Sequence, residues 1–155
     1  MTGNDIQERP ATADVGPLEL NKYLPYLINR VGSHMVAAFE AEIRDRGLNV
    51  QMWRVLAVLH ERGGQRLGAL SEGTSIEVST LSRLIGRMRG LKLVRRTRDT
   101  GDSRAVRIAL TPQGLQLVAE LVPMAREFET QVSSVLSADE IAVLKRLLNR
   151  LHGAV

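Results

Sequence analysis

The chain has 155 residues, 44% hydrophobic and 25% charged, a size and balance that fit one globular domain of ordinary size or one domain with an appendage and leave no room for a second catalytic domain. It contains no cysteine, which excludes disulfide scaffolds, thiol redox sensing, cysteine nucleophiles and thiolate zinc sites. Aromatic residues are 3% of the chain, too few for a stacking platform on single-stranded nucleic acid, and the formal charge of +4 favours a polyanionic partner.

Residues 1–17 carry Asp5, Glu8, Pro10, Asp14 and Pro17 without an apolar run. They read as a disordered N-terminal tail rather than a secretory signal. No later stretch approaches the roughly 20 apolar residues a bilayer span needs, so the expected location is cytoplasmic. From Leu18 to about Asp45, Leu20, Leu24, Leu27, Val31, Met35 and Ala38 recur at helical spacing, and Gly47 ends this first helix. A second helix is expected over Val50 to Glu61, with Met52, Val55, Leu56 and Leu59 inward and Gly63-Gly64 as its stop. Both helices read as core.

A short helix from Leu67 to Gly73, a polar turn at Gly73-Thr74-Ser75, and a helix from Val78 or Ser79 to Leu91 follow. Val106, Ile108 and Leu110 then alternate with Arg107 and Ala109 at the period of a half-buried strand, and Val94 to Arg98 can pair with it. The turn-forming segment Asp99 to Arg104 makes the pair a β-hairpin with a polar, basic tip. Thr111 and Pro112 open a long helix to about Val135, which Pro123 should kink. Ser137-Ala138-Asp139-Glu140 has the form of a capping box and opens a last helix striped by Ile141, Leu144, Leu148 and Leu151.

The basic charge is concentrated. Between Val78 and Arg107 stand nine basic and two acidic residues, a net of +7, whereas the rest of the chain sums to −3. Such a segment is either a solvated face or an electrostatic footprint for a polyanion. Helix, tight turn, helix and hairpin, in that order, predict a winged helix-turn-helix. In that fold the second helix enters the major groove of duplex DNA and the hairpin reaches phosphates or the adjacent minor groove. The fold class is therefore mostly α with a small β-hairpin wing. The apolar stripes of the first and last helices exceed what a winged helix of that size can cover. They either pack within the chain or act as N- and C-terminal dimerisation helices, and symmetric homodimerisation is the commonest solution. The expected organisation is a tail over 1–17, a helical dimerisation region over 18–46 and 112–155, and a DNA-binding domain over 47–111.

These residues carry a family resemblance. The chain from Leu18 onward resembles the MarR family of bacterial transcriptional regulators. The most specific part is Asp99-x-x-Asp102-x-Arg104 followed by Leu110-Thr111-x-x-Gly114, supported by Trp53-Arg54-Val55-Leu56 and Ser79-Thr80-Leu81-Ser82-Arg83-Leu84. The resemblance implies a homodimeric repressor or activator on palindromic duplex DNA, often released by a small aromatic acid or phenolic compound. One departure stands out: Leu91-Lys92-Leu93-Val94 occupies the place of the family's Arg-Gly-Leu-Val. Either Lys92 takes a left-handed cap at a cost of about 1 kcal/mol relative to glycine, or Gly90 ends the helix earlier.

The candidate DNA contacts follow. Ser79, Thr80 and Ser82 are short hydroxyl residues suited to base edges or phosphates, and Ser79 is equally an N-cap. Arg83 and Arg87 lie one turn apart on one face, and an arginine fork can grip guanine O6 and N7. Arg98 and Ser103 are candidate phosphate contacts, and Arg95, Arg96 and Arg107 either raise the local potential or are bystanders. By resemblance, Arg104 is the minor-groove probe, with Asp99 or Asp102 holding its guanidinium or the turn. Resemblance also places an effector site between the dimerisation helices and the winged domain. The candidates there are Tyr26, Asn29, Arg30 and His34 on the first helix and Trp53 on the second. Trp53 is alternatively core, His34 a surface or satisfied histidine, and Arg30 half of an ion pair.

An enzyme is the rival reading. The three histidines, His34, His60 and His152, have no metal-binding spacing, there is no G-x-S-x-G elbow, and Gly63 to Gly68 continues with Ala69-Leu70 where a phosphate loop needs Lys and Ser or Thr. The expected protein is thus no enzyme and needs no cofactor or metal. Its expected partners are a pseudo-palindromic operator, a second copy of itself and a small-molecule effector. The alternative is an effector-independent DNA-binding regulator or a protein competing with nucleoid proteins.

Overall fold

The structure, a computed structural model, describes residues 16–98 and 106–154. Asp99, Asp102, Ser103 and Arg104 lie outside the described residues, as does nearly all of the expected tail. Contact density divides the chain into two units, one ending at His34 and the other running from Met35 onward.

In the first unit a turn closes with Lys22 N donating to Glu19 O at 2.9 Å and Tyr23 N to Leu20 O at 3.2 Å. Helix α1 (Leu24–Ile43) begins there, later than Leu18. The reason is Pro25, which has no N–H to donate and is tolerated only in a first helical turn. Leu18, Leu20, Leu24, Leu27, Ile28 and Val31 are all exposed, so this part of the helix is not core.

In the second unit α1 continues to Phe39 and Ile43, which are buried. A 3₁₀ turn over Arg44–Arg46 then ends on Gly47 in the left-handed region at φ 70°. Helix α2 (Val50–Arg62) is capped twice: Asn49 Oδ1 accepts from Met52 N at 2.9 Å, and the Glu40 carboxylate accepts from Val50 N at 3.1 Å. Met52, Val55, Leu56 and Leu59 face inward as expected. Strand β1 (Gln65–Arg66) leads directly into α3 (Leu67–Thr74), and α4 (Val78–Gly90) follows. The turn between these helices is made by Ser75, at φ 54°, and not by Gly73. Gly73 serves packing instead, since a Cβ there would come within 3.3 Å of Val58 Cγ1 on α2.

Strands β2 (Val94–Arg98) and β3 (Val106–Leu110) form the expected antiparallel hairpin, in register from Val94 opposite Leu110 to Arg98 opposite Val106. The short strand β1 adds to the outer side of β3, giving a three-stranded sheet in the order β1-β3-β2. Two residues are too few for any periodicity in the sequence to predict this third strand.

Helix α5 (Pro112–Val132) starts on Thr111, whose Oγ1 accepts from Gly114 N at 3.0 Å, and runs on through Pro123. Gly114 explains its own presence. An added Cβ would sit 2.1 Å from the Leu93 carbonyl oxygen, so only glycine lets α5 enter against the start of the wing. Helix α6 (Ala138–His152) carries the capping box: Ser137 and Glu140 exchange side-chain and backbone bonds. Those bonds hold the Glu140 carboxyl below its ordinary value. The core of this unit joins Ile43, Met52, Leu56, Leu70, Ile85 and Leu121 across five helices. Val143, Leu144, Leu147, Leu148 and Leu151 of α6 remain exposed.

Candidate nucleic-acid interface

Helix α4 is built so that one face is committed to the core and the other is free. Leu81, Leu84, Ile85 and Met88 are buried at the three- and four-residue spacing of an α-helix. Ser79, Arg83 and Arg87, at intervals of four, are exposed on the other side. Ser82 is exposed on the flank toward the wing. There it lines a groove of about 240 Å³ with Leu67, Arg96 and Val106. Thr80 is half-buried on the opposite flank. The five candidates thus fall into a central row of three and two flanking positions.

The helix starts on Glu77, a cap that its residue type does not signal because glutamate is not among the favoured N-cap residues. Its carboxylate accepts from Ser79 N at 3.0 Å and from Thr80 N at 3.1 Å, and the Ser79 hydroxyl donates to it as well. Those three bonds, the hydroxyl's first, hold the Glu77 carboxyl below its ordinary value, and the nearby Arg83 guanidinium acts in the same direction. Ser79 is accordingly not the cap itself but a residue held by the cap.

At its other end α4 stops at Gly90, and Lys92 nevertheless takes the left-handed conformation, at φ 57°. Lys92 N donates to Arg89 O at 2.9 Å and Leu93 N to Met88 O at 3.0 Å, the paired bonds of a Schellman motif. Both features anticipated as alternatives occur together: the helix ends early and a lysine fills the position that favours glycine. The chain then enters β2, where Leu93 and Val94 are buried and Arg95, Arg96 and Arg98 are exposed. Arg89, Arg95 and Arg96 border an open groove of about 570 Å³ with Gly86 and Gly90. Arg107 differs from these. Its Nε and Nη2 donate to Gly64 O at 3.0 and 2.6 Å, tying β3 to the turn after α2. Arg107 therefore holds the wing in place, a role its charge alone did not reveal.

Of the candidate effector residues, Trp53 is half-buried. Its ring packs against Phe39 with centroids 5.8 Å apart, and Phe39 meets Phe128 at 5.1 Å. The three rings line a groove of about 230 Å³ that also includes Val36 and Arg54. Phe39 and Phe128 were not singled out from the sequence, because each reads there as one more apolar position on a long helix. Tyr26, Asn29, Arg30 and His34 are exposed in the first unit, with Tyr26, Arg30 and His34 at intervals of four.

The helix-turn-helix of α3 and α4 with the β2-β3 wing defines a winged-helix protein. Comparison with known proteins agrees. The family model described as the MarR family matches residues 46–105. A MarR-family transcriptional regulator from Silicibacter pomeroyi DSS-3 is 34% identical in its crystal structure, covering 87% of this chain and 99% of that one with a TM-score of 0.74. Bordetella bronchiseptica BpsR, whose DNA binding is regulated by 6-hydroxynicotinic acid, is 29% identical, with 88% and 97% covered and a TM-score of 0.79. The HTH-type transcriptional repressor NicR of Pseudomonas putida is 24% identical over 86% of this chain and 85% of its own. An HTH-type regulator of Bacillus subtilis (strain 168), YsmB, is 33% identical over 61% of this chain, a stretch spanning 64% of that protein, just under two thirds. The chain belongs to the MarR family and is a transcriptional regulator.

Proposed function

We propose that this regulator is a cytoplasmic homodimeric repressor that binds a pseudo-palindromic duplex operator with half-sites about one helical turn apart and is released by a small aromatic acid. The observation that carries the reading is the free face of α4. Ser79, Arg83 and Arg87 stand there in a row beside a basic hairpin, backed by a core that holds the helix rigid. Arg83 and Arg87 supply bidentate contacts to guanine, Ser79, Thr80 and Ser82 meet base edges or phosphates, and Arg98 and Ser103 reach the backbone. Arg104 enters the minor groove, with Asp99 and Asp102 shaping the tip.

Residues 18–46 and 112–155 form the dimerisation region and 47–111 read DNA. Exposed leucines on α1 and α6 support that division, because an aqueous surface does not favour two such apolar stripes. The effector reading rests on the Phe39, Trp53 and Phe128 groove with Arg54 at its edge, which suits one aromatic ring bearing a carboxylate. Regulation of the similar BpsR by an aromatic acid and the repressor role of the similar NicR support it. A ligand preferring one spacing of the two winged domains would shift the population away from the DNA-bound state. No enzymatic activity is proposed.

The test is fluorescence anisotropy on duplex from upstream of the chain's own gene, with unrelated duplex as competitor and salt varied. Tight, competitor-resistant binding that weakens steeply with salt is expected. Arg83→Ala and Arg104→Ala should each weaken it at least about tenfold while the fold persists. Absence of binding at low salt would overturn the reading. Binding that 6-hydroxynicotinic acid and related aromatic acids leave unchanged would remove the effector from it.

A further inference from the structure

The start of α4 has an unusual hydrogen-bond polarity. A serine hydroxyl has one proton to donate and two lone pairs to accept with. In Ser79 that proton is directed to the Glu77 carboxylate, and the same carboxylate accepts from the Ser79 and Thr80 backbone N–H groups. The usual short N-cap side chains satisfy N–H groups two and three residues on. The longer glutamate does this and also takes up the hydroxyl proton. Two consequences follow for anything that approaches this end of the helix. The N–H groups that would otherwise attract a phosphate are already occupied by a carboxylate. Ser79 Oγ retains only lone pairs, so it can accept and cannot donate.

Resting on the proposal that α4 lies in the major groove, we infer that Glu77 is a specificity-determining positioning residue: it makes Ser79 an obligate acceptor that selects an amino-bearing base, adenine or cytosine, on the contacted strand. In the major groove adenine N6 and cytosine N4 donate, whereas guanine O6 and N7 and thymine O4 only accept. A serine free to rotate its proton would tolerate both kinds. One fixed by Glu77 rejects guanine and thymine, because two acceptors would face each other without a proton between them. The carboxylate adds to this discrimination, since it too accepts from amines and repels phosphate and keto oxygens. Arg83, next in the row, is the donor that complements this acceptor and can take the neighbouring guanine.

The experiment is selection of bound sequences from a random duplex library by wild type, Glu77→Ser, Ser79→Ala and the double variant. Serine is a good N-cap too short to reach the Ser79 hydroxyl, so circular dichroism should show α4 retained. Wild type should fix adenine or cytosine at one position per half-site, with the Ser79→Ala variant identifying which. Replacing that base by its analogue lacking the exocyclic amine should weaken wild-type binding about tenfold. At the same position Glu77→Ser should bind the keto bases guanine and thymine within about twofold of the amino base, and adding Glu77→Ser to Ser79→Ala should leave base preference there unchanged, the signature of two residues acting through one contact. Glu77→Ser should also bind unrelated duplex severalfold tighter, having lost a negative charge near phosphates. If only that uniform gain is seen and base preference persists, Glu77 is merely electrostatic and the inference falls. It also falls if the Ser79-dependent position selects guanine or thymine, or if no position depends on Ser79. Failure of wild type to enrich any sequence would instead overturn the DNA-binding reading beneath it.

Discussion

The winged region and the terminal helices carry the same kind of sequence signal and use it differently. In α2 and α4 the apolar stripes Met52, Val55, Leu56, Leu59 and Leu81, Leu84, Ile85, Met88 are buried within the same chain. In the first half of α1 and in α6 the spacing is equally regular, yet Leu24, Leu27, Val31, Leu144, Leu148 and Leu151 are between 36% and 57% exposed. Periodicity therefore identifies a helix with an apolar face and does not identify what covers that face. In the winged region the cover comes from the chain itself, with α2 packed against α3, β3 and α5. For the terminal helices it has to come from elsewhere, which is the physical basis for proposing a second copy.

The sharpest break in the winged region is at Gly114. A methyl group there would overlap the Leu93 carbonyl, and backbone cannot swing aside as a flexible side chain can. Gly114→Ala should lower unfolding free energy by about 3 kcal/mol or more, at the upper end for overpacking, as read by urea denaturation. It should also loosen the hairpin, because Thr111 N donates to the same Leu93 carbonyl at 3.1 Å. A loss below about 0.5 kcal/mol, the range of an ordinary surface change, would show that α5 does not seat on the wing in this way.

The terminal helices are tested by Leu148→Ala. On a lone chain this residue is 41% exposed, and truncation would change stability by no more than about 0.5 kcal/mol. Buried in a dimer, the same truncation should cost about 2 kcal/mol. The expected outcome is the larger loss, with a denaturation midpoint that rises with protein concentration in the wild type and sedimentation showing more monomer in the variant. A concentration-independent midpoint and an unchanged species would leave the stripes to some other cover.

What was legible in the sequence follows the same division. The boundaries of β2 and β3 and the caps at Thr111 and Ser137 could be read because alternation and capping chemistry are local. Strand β1 could not. Two residues have no period, and Gln65 and Arg66 are a strand only because β3 lies alongside. The start of α1 was misplaced because the apolar spacing continues smoothly through Pro25, whose missing N–H sets the boundary. At the candidate interface Arg83 and Arg87 are legible from their spacing and Ser79 from its short hydroxyl side chain. Glu77 and Arg107 were not, since their roles depend on which backbone groups the fold brings to them. The aromatic groove gathers Phe39, Trp53 and Phe128 from three helices, a convergence that no single stretch of sequence displays.

The smallest effect joins the two ends of the winged region's own logic. Lys92 occupies a left-handed position between α4 and β2, where the Cβ of any L residue crowds the backbone, and the Schellman bonds to Met88 and Arg89 hold it there. Lys92→Gly should relieve this strain and stabilise the fold by up to about 1 kcal/mol, reduced somewhat because glycine also frees the unfolded chain. It removes one positive charge from the +7 segment as well, so the DNA consequence separates two roles. If Lys92 serves only by its charge, Lys92→Gly and Lys92→Gln should weaken duplex binding equally and lower the salt dependence by about one ion. If instead the strained cap sets the angle between α4 and the wing, Lys92→Gly alone should alter sequence preference. A variant that is neither more stable nor different from Lys92→Gln would mean that the left-handed turn costs this chain nothing.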